Sequence, residues 1–303
     1  MDIKVIGTES LGVRGLSCVV KTVDRFILID PGLALGFRRK GLLPHPYQVA
    51  VGEDIRQIII NKMATATDIV ISHFHGDHMP LVEANPYQLG LKDVKDLMCN
   101  LNLWIKGRCG EAKHIAERHD QLLAGLERTV DPCEGKTVGS IAFSECMPHG
   151  SGGNPRGTVM MTRIKEGTEV FVHASDIQLL DDEPIRQILD WEPSVVLVSG
   201  PPIYRDLPAE SLVQAANRAK TLAKVVRFCI VDHHVLRCME GVRWLEKLMI
   251  ETEGKILCAA DFMKRPRRFL EARRMEFYRR SPVPDDWHER YSNGLVDTNE
   301  FRR

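Results

Sequence analysis

Ten short apolar runs punctuate the chain, and six of them end on or just before a residue able to bind a metal or polarise a substrate. They are "IKVIG" (3–7), "LSCVVKT" (16–22), "RFILID" (25–30), "DIVIS" (68–72), "SIAFSECM" (140–147), "TVMMTRI" (158–164), "EVFVHASD" (169–176), "SVVLVSG" (194–200), "VVRFCIVDH" (225–233) and "KILCAA" (255–260). Their length favours strands. Segments with helical spacing lie at about 49–65, 110–127, 181–190, 208–223, 239–252 and 266–280. The second half therefore alternates strand and helix while the first is richer in hairpins, which predicts an α/β layered domain with mixed sheets.

The strand-end residues are Asp30, His73, His149, Asp176, Ser199 with Gly200, and Asp232 with His233. In layered α/β folds the carboxyl ends of neighbouring strands share an edge where ligands bind, so residues scattered over the chain can converge.

One stretch is far denser in such residues than the rest. "ISHFHGDHMP" (71–80) holds three of the 11 histidines of the chain. Residues two apart in an extended segment point the same way, so His73 and His75 can offer both imidazoles to one ion. Asp77 and His78 follow as the chain turns and face a second position, and Gly76 is expected to ease that turn. A solvated loop seldom carries this density directly after a buried strand.

The string His73-Phe74-His75-Gly76-Asp77-His78 resembles the HxHxDH signature of the metallo-β-lactamase superfamily, and the order of the remaining motifs is similar over about residues 1–260. That resemblance implies a four-layer αββα sandwich with two mixed sheets and a mono- or dinuclear metal site. By position, it makes His73, His75 and His149 ligands of one metal and Asp77, His78 and His233 (or His234) ligands of a second. Asp176 would bridge the two, and Asp30 in "LIDPG" would orient a ligand. The strand-end position favours His233 over His234. This nitrogen and oxygen set suits Zn, and also Fe or Mn. Two such ions make hydroxide available near neutral pH and polarise a substrate oxygen, with Asp77 able to orient the nucleophile or take up a proton. Within the superfamily "GTESLGVRGLSC", "SHFHGDHMPL" and "DHHVLR" are similar to an archaeal branch of predicted hydrolases, and more distantly the chain resembles the sugar-phosphate lactonases.

Composition narrows the setting. Lys plus Arg and Asp plus Glu are both 41, so no global charge steers the chain to nucleic acid or an anionic membrane. The 303 residues, 44% hydrophobic, suffice for one large domain over 1–280 with a tail at 281–303. Eight cysteines include no Cys-x-x-Cys pair and mostly sit in apolar runs, which points to a reducing, cytoplasmic compartment. No stretch approaches the ~18 apolar residues of a membrane span, and "MDIKVIGTES" has no export signature.

Other residues are weighed against plainer roles. His173 either holds a ligand in orientation or is a satisfied strand histidine. Tyr204 and Arg205 in "SGPPIYRD" follow a strand on the ligand edge, where they could contact a phosphate or carboxylate; a Pro-rich turn is the plain reading. "SGGNPRG" (151–157) could present Arg156 to an anion. The long segments 33–67 and 79–112 could wall the site, whereas His45, His114 and His119 are expected at the surface. Cys146 is expected to be buried and inert. "KRPRRFLEARRMEFYRR" (264–280) carries eight Lys/Arg against two Glu; a helix packed on one face is the simpler reading, and contact with a nucleic-acid backbone the other.

The leading expectation is a metal-dependent hydrolase of a small ester, lactone or phosphoester. A ribonuclease or phosphodiesterase on the same fold is the first alternative, a non-haem iron oxidoreductase the second, and a non-catalytic metal protein the third. The expected partner is a small-molecule substrate, with nucleic acid second and no membrane; a homo-oligomer is compatible with the sequence.

Overall fold

Period-two alternation sorts each strand of the first half between two cores. A computed structural model of the chain describes residues 1–35, 38–150 and 157–302. The first sheet holds β1 (Asp2–Gly7), β2 (Ser17–Lys21), β3 (Phe26–Ile29), β4 (Asp68–Ile71) and β5 (Asn102–Ile105) in that order. Cys18, Val20, Ile27, Ile29 and Val70 point toward the second sheet, while Val19, Leu28, Ile69 and Ile71 point away from it. A strand hydrophobic at every position is one buried on both faces.

The second half begins with β6 (Thr137–Val138), β7 (Ile141–Phe143), and a small separate pair, β8 (Met147–Pro148) with β9 (Thr158–Val159). It continues with β10 (Thr162–Glu166), β11 (Glu169–Ala174), β12 (Val195–Val198), β13 (Phe228–Val231) and β14 (Ile256–Leu257). The larger sheet runs β14-β13-β12-β11-β10-β7-β6. Strands β3 to β5 are parallel, as are β11 to β14, while the hairpin partners are antiparallel, so both sheets are mixed.

The helices are α1 (Pro46–Met63), α2 (Lys95–Cys99), α3 (Lys113–Leu126), α4 (Asp182–Asp190), α5 (Ala209–Val225), α6 (Met239–Glu251), α7 (Ala259–Phe262), α8 (Arg274–Arg280) and α9 (Trp287–Ser292). Val49, Ile55 and Ile59 of α1 and Ile115 and Leu122 of α3 cover the first sheet. Ala215, Ala219 and Leu222 of α5 and Val242 and Leu245 of α6 cover the second. The layers are thus helix, sheet, sheet, helix, as expected. None of the described helices is long and apolar enough to cross a membrane.

Three local expectations need correction. The helix expected over 266–280 forms only from Arg274, because Pro266 and a left-handed Lys264 (φ 52°) keep the preceding segment irregular. The run at 140–147 divides into β7 and β8. His45 is not at the surface: it is 2% exposed and caps α1, its Nδ1 accepting from the Tyr47 amide at 3.2 Å while Nε2 donates to the Ser281 carbonyl at 2.9 Å. Residues after 281 lie against α1, with Trp287 buried in the same cluster and the Tyr291 hydroxyl donating to Glu53 at 2.8 Å.

Candidate metal centre

Strand register brings the ligand-type residues to one edge. Ile29 pairs with Val70, and Ala174, Val198 and Val231 lie side by side, so Asp30, Ser72, Ser175, Ser199 and Asp232 all leave their strands together. The backbone there is strained: Asp30, Asp176 and His233 adopt φ of 48°, 53° and 67°. Non-glycine residues seldom occupy that region, and aspartate and histidine tolerate it better than most.

Asp30 is fully buried and sets the protonation pattern of the site. One carboxylate oxygen accepts from His78 Nδ1 at 2.9 Å, from the Ser72 hydroxyl at 2.7 Å and from the Ser175 hydroxyl at 2.6 Å; the other accepts from the Ser72 amide at 2.8 Å. Burial favours the protonated acid, but the hydrogen bond and charge of His78 outweigh it and hold Asp30 well below the usual carboxylate range. Because the Ser72 proton goes to Asp30, its oxygen accepts from His73 Nδ1 at 2.9 Å. Both His73 and His78 consequently direct the lone pair of Nε2 into the site.

Asp176 divides what surrounds it. Its Oδ2 lies 3.2 Å from His73 Nε2, 3.6 Å from His75 Nδ1, 3.0 Å from His149 Nε2 and 3.4 Å from His234 Nε2. Its Oδ1 lies 3.4 Å from His78 Nε2 and 3.3 Å from His233 Nε2. Asp77 closes the second group, 3.9 Å from His78 Nε2 and 3.6 Å from His233 Nε2. The Ser199 hydroxyl accepts from the Asp176 amide and donates to Oδ1, which fixes the carboxylate plane.

His233 Nδ1 donates to Glu9 at 2.7 Å, so its Nε2 also presents a lone pair, 3.3 Å from that of His78. Arg237 Nη2 also donates to His233 Nε2, at 2.9 Å; the two imidazoles and two carboxylates together form a donor set suited to a cation. A tetrahedral ion bound at ~2.0–2.2 Å separates its donors by roughly 3.3–3.6 Å, close to the spacings of both groups. Burial alone would push His78 down, yet Asp176, Asp77 and Asp30 lift it to about 9. His73 goes the opposite way, to about 3, through burial and the charge of His78. The donor set therefore fits divalent metal.

A UPF0282 protein of Methanosarcina mazei is 45% identical over 303 residues, 99% of each chain. Another, from Pyrococcus furiosus, is 32% identical over 295 residues, 92% of each. The chain belongs to the UPF0282 family. No family model matches it. Among solved structures, the chain is similar to a metal-dependent hydrolase of the beta-lactamase superfamily, with a TM-score of 0.50 and 14% identity over 84% of this chain and 95% of that one. A likeness at that identity speaks for the fold alone, and the fold is the metallo-β-lactamase sandwich.

The site opens into a cavity of about 550 Å³ lined by His75, Asp77, His149, Gln178, Tyr204 and Arg205 among others. Tyr204 and Arg205 thus face the same space as the metal-type residues. His173 does not: it lies between the sheets, where Nε2 donates to the Leu16 carbonyl at 2.9 Å. His114, expected at the surface, is exposed and lines the cavity, and the segment 33–67 contributes Arg38 and Arg39. Arg156 lies outside the described residues. Cys146 is half-buried rather than buried, and burial pushes its thiol up to about 12, which leaves it a poor nucleophile. Gly76 does not have positive φ; its need is space, since a Cβ there would meet Leu81 Cδ1 at 2.7 Å.

Sequence reasoning missed Glu9, Arg237 and Gln178. Glu9 holds both His233 and Arg237 Nε at 2.7 Å, and Arg237 also donates to Asp77 at 3.1 Å and to the Tyr204 hydroxyl at 3.2 Å. Gln178 approaches His149 Nε2 at 3.4 Å. The strings "GTESLG" and "DHHVLR" contain two of these residues, but nothing local in either says that they meet.

Proposed function

We propose that the chain is a metal-dependent hydrolase of small esters, lactones or phosphoesters that holds two divalent ions, most simply Zn. The observation that carries this reading is the division of Asp176, whose two carboxylate oxygens face two separate groups of imidazoles. His73, His75 and His149 would hold one ion, and Asp77, His78 and His233 the other, with Asp176 shared. When bound, such ions act as Lewis acids, polarising the bond to be broken and making water a better nucleophile near neutral pH.

The protein's own groups do the rest. Asp30 and Glu9 hold the Nδ1–H of His78 and His233 and so orient those imidazoles, with Nε2 inward. Asp77 reaches the cavity and is held ionised by His78, Arg237 and His233 against the cost of burial, so it can accept a hydrogen bond from an entering water or alcohol. The buried strand ends beneath exclude bulk solvent from the floor.

Elemental analysis by plasma mass spectrometry of protein purified without chelator should find close to two equivalents of divalent metal per chain. His75→Ala and Asp176→Ala should each lower that content and abolish turnover of chromogenic esters, with circular dichroism unchanged. Full turnover in either variant would refute the assignment.

A further inference from the structure

Six arginines, Arg14, Arg38, Arg39, Arg118, Arg205 and Arg237, line the cavity above the candidate metal centre. The carboxylates Asp77 and Asp176 on the same wall are both committed to metal-type groups. The arginines fall into two classes. Arg14 and Arg39 share the buried Glu271, at 3.2 Å and 2.6 Å from their Nε atoms, and Arg237 is neutralised by Glu9 and Asp77. Arg38, Arg118 and Arg205 have no carboxylate partner among the described residues. Arg38 donates to the Gly41 carbonyl at 2.8 Å, Arg118 to the Phe74 carbonyl at 3.3 Å, and the Arg205 guanidinium lies 5.6 Å from the Tyr204 ring centre.

These three residues come from separate parts of the fold: the segment after β3, helix α3, and the turn after β12. All three line the same opening, so an anion entering it meets guanidiniums that no carboxylate neutralises among the described residues. Arg38 and Arg205 are exposed whereas the metal-type side chains are mostly buried, so this charge stands at the rim and the donor set at the floor.

We infer that the substrate carries a phosphate monoester that does not react, bound at the rim by Arg38, Arg118 and Arg205 while the scissile bond lies over Asp176. This rests on the hydrolase reading above. A phosphate fits better than a carboxylate because its three terminal oxygens and near-double charge can engage three guanidinium forks, whereas a carboxylate offers two oxygens and one charge. A cavity of about 550 Å³ lies within the range that encloses a small molecule. The net charge of zero gives no global steering toward a nucleic-acid backbone; the neighbouring cavity, lined by Arg38, Arg39, Lys40, Arg273, Arg274 and Arg279, is locally basic, so RNA enters the test below as a competitor. Behind the rim, Arg39 stacks on Tyr204 with its guanidinium 4.2 Å from the ring centre, forming a firm wall between this cavity and a neighbouring one.

The test is titration calorimetry of the full chain, both metal-loaded and metal-stripped, with glycerol 3-phosphate, glycerate and glycerol as probes of phosphate, carboxylate and neutral ends. Glycerol 3-phosphate should bind at least about tenfold more tightly than glycerate, and glycerol should show no heat of binding. The exposed pair R38Q/R205Q should weaken glycerol 3-phosphate about tenfold or more while metal content and melting temperature stay unchanged. Unchanged affinity in R38Q/R205Q, or affinity that disappears when metal is stripped, would put the phosphate on the ions and overturn the inference. A short single-stranded RNA that outcompetes glycerol 3-phosphate would overturn its small-molecule part. The metal-stripped arm reads the rim independently, so absence of metal from the purified chain would end the hydrolase reading without deciding this one.

Discussion

His233 and His234 are adjacent, both buried, and both direct Nε2 at Asp176, yet their opposite nitrogens differ. His233 Nδ1 is held by Glu9, which fixes its tautomer and raises its basicity, while His234 Nδ1 has no hydrogen-bond partner among the described residues. Metal analysis should therefore find His233→Ala reduced from two equivalents to about one and His234→Ala still near two. Glu9→Gln should weaken the second ion by roughly 10- to 100-fold, and a result with the two histidine variants exchanged would assign His234 instead. The candidate ligands themselves were readable in the sequence because they cluster in one string or end strands. Glu9 was not, because its partner is 224 positions away and a buried acid in a short turn has no local pattern. Arg237 was unreadable for the same reason.

Elements were legible where burial on two faces makes a run of apolar residues, and less so where tertiary contacts decide. The ten runs correspond to strands, but β5, "NLWI", was missed because its four residues hold one β-branched side chain, against three in the equally short "DIVI" of β4. The basic run at 264–280 looked helical by spacing, yet its first half instead places Glu271 among arginines. One constraint on the signature loop is also invisible to pattern. Gly32 passes so close under that loop that a Cβ would lie 2.4 Å from the His78 amide nitrogen and 2.2 Å from that of Met79. Backbone cannot move aside as a side chain can, so Gly32→Ala should displace His78 and cost roughly 1–3 kcal/mol or more of stability. Urea unfolding with metal analysis would check both effects, and a variant as stable and as metal-rich as the parent would contradict the close approach.

At the scale of the whole molecule, Glu271 joins parts of the chain that the sheets alone do not. It is 5% exposed and accepts from Arg14 of the β1–β2 connection and from Arg39 of the segment after β3, with Arg274 at 3.9 Å. The C-terminal segment is thereby tied to the wall of the candidate site. Burial favours the protonated acid, but Arg14, Arg237, Arg274 and Arg39 outweigh it and hold Glu271 down to about 2. An unfolded glutamate titrates near 4.3, so folding favours the ionised form; that contribution is complete above the unfolded value and is lost as pH falls toward 2. A gap of about two pH units corresponds to roughly 3 kcal/mol. Glu271→Gln leaves buried arginines without their shared counter-charge and should lower unfolding free energy by about that amount at pH 7. The deficit relative to the parent should shrink between pH 4 and pH 2, as the parent's own Glu271 takes up its proton. Urea melts of both proteins across that range would measure it, and a deficit independent of pH would mean that Glu271 acts through packing rather than charge.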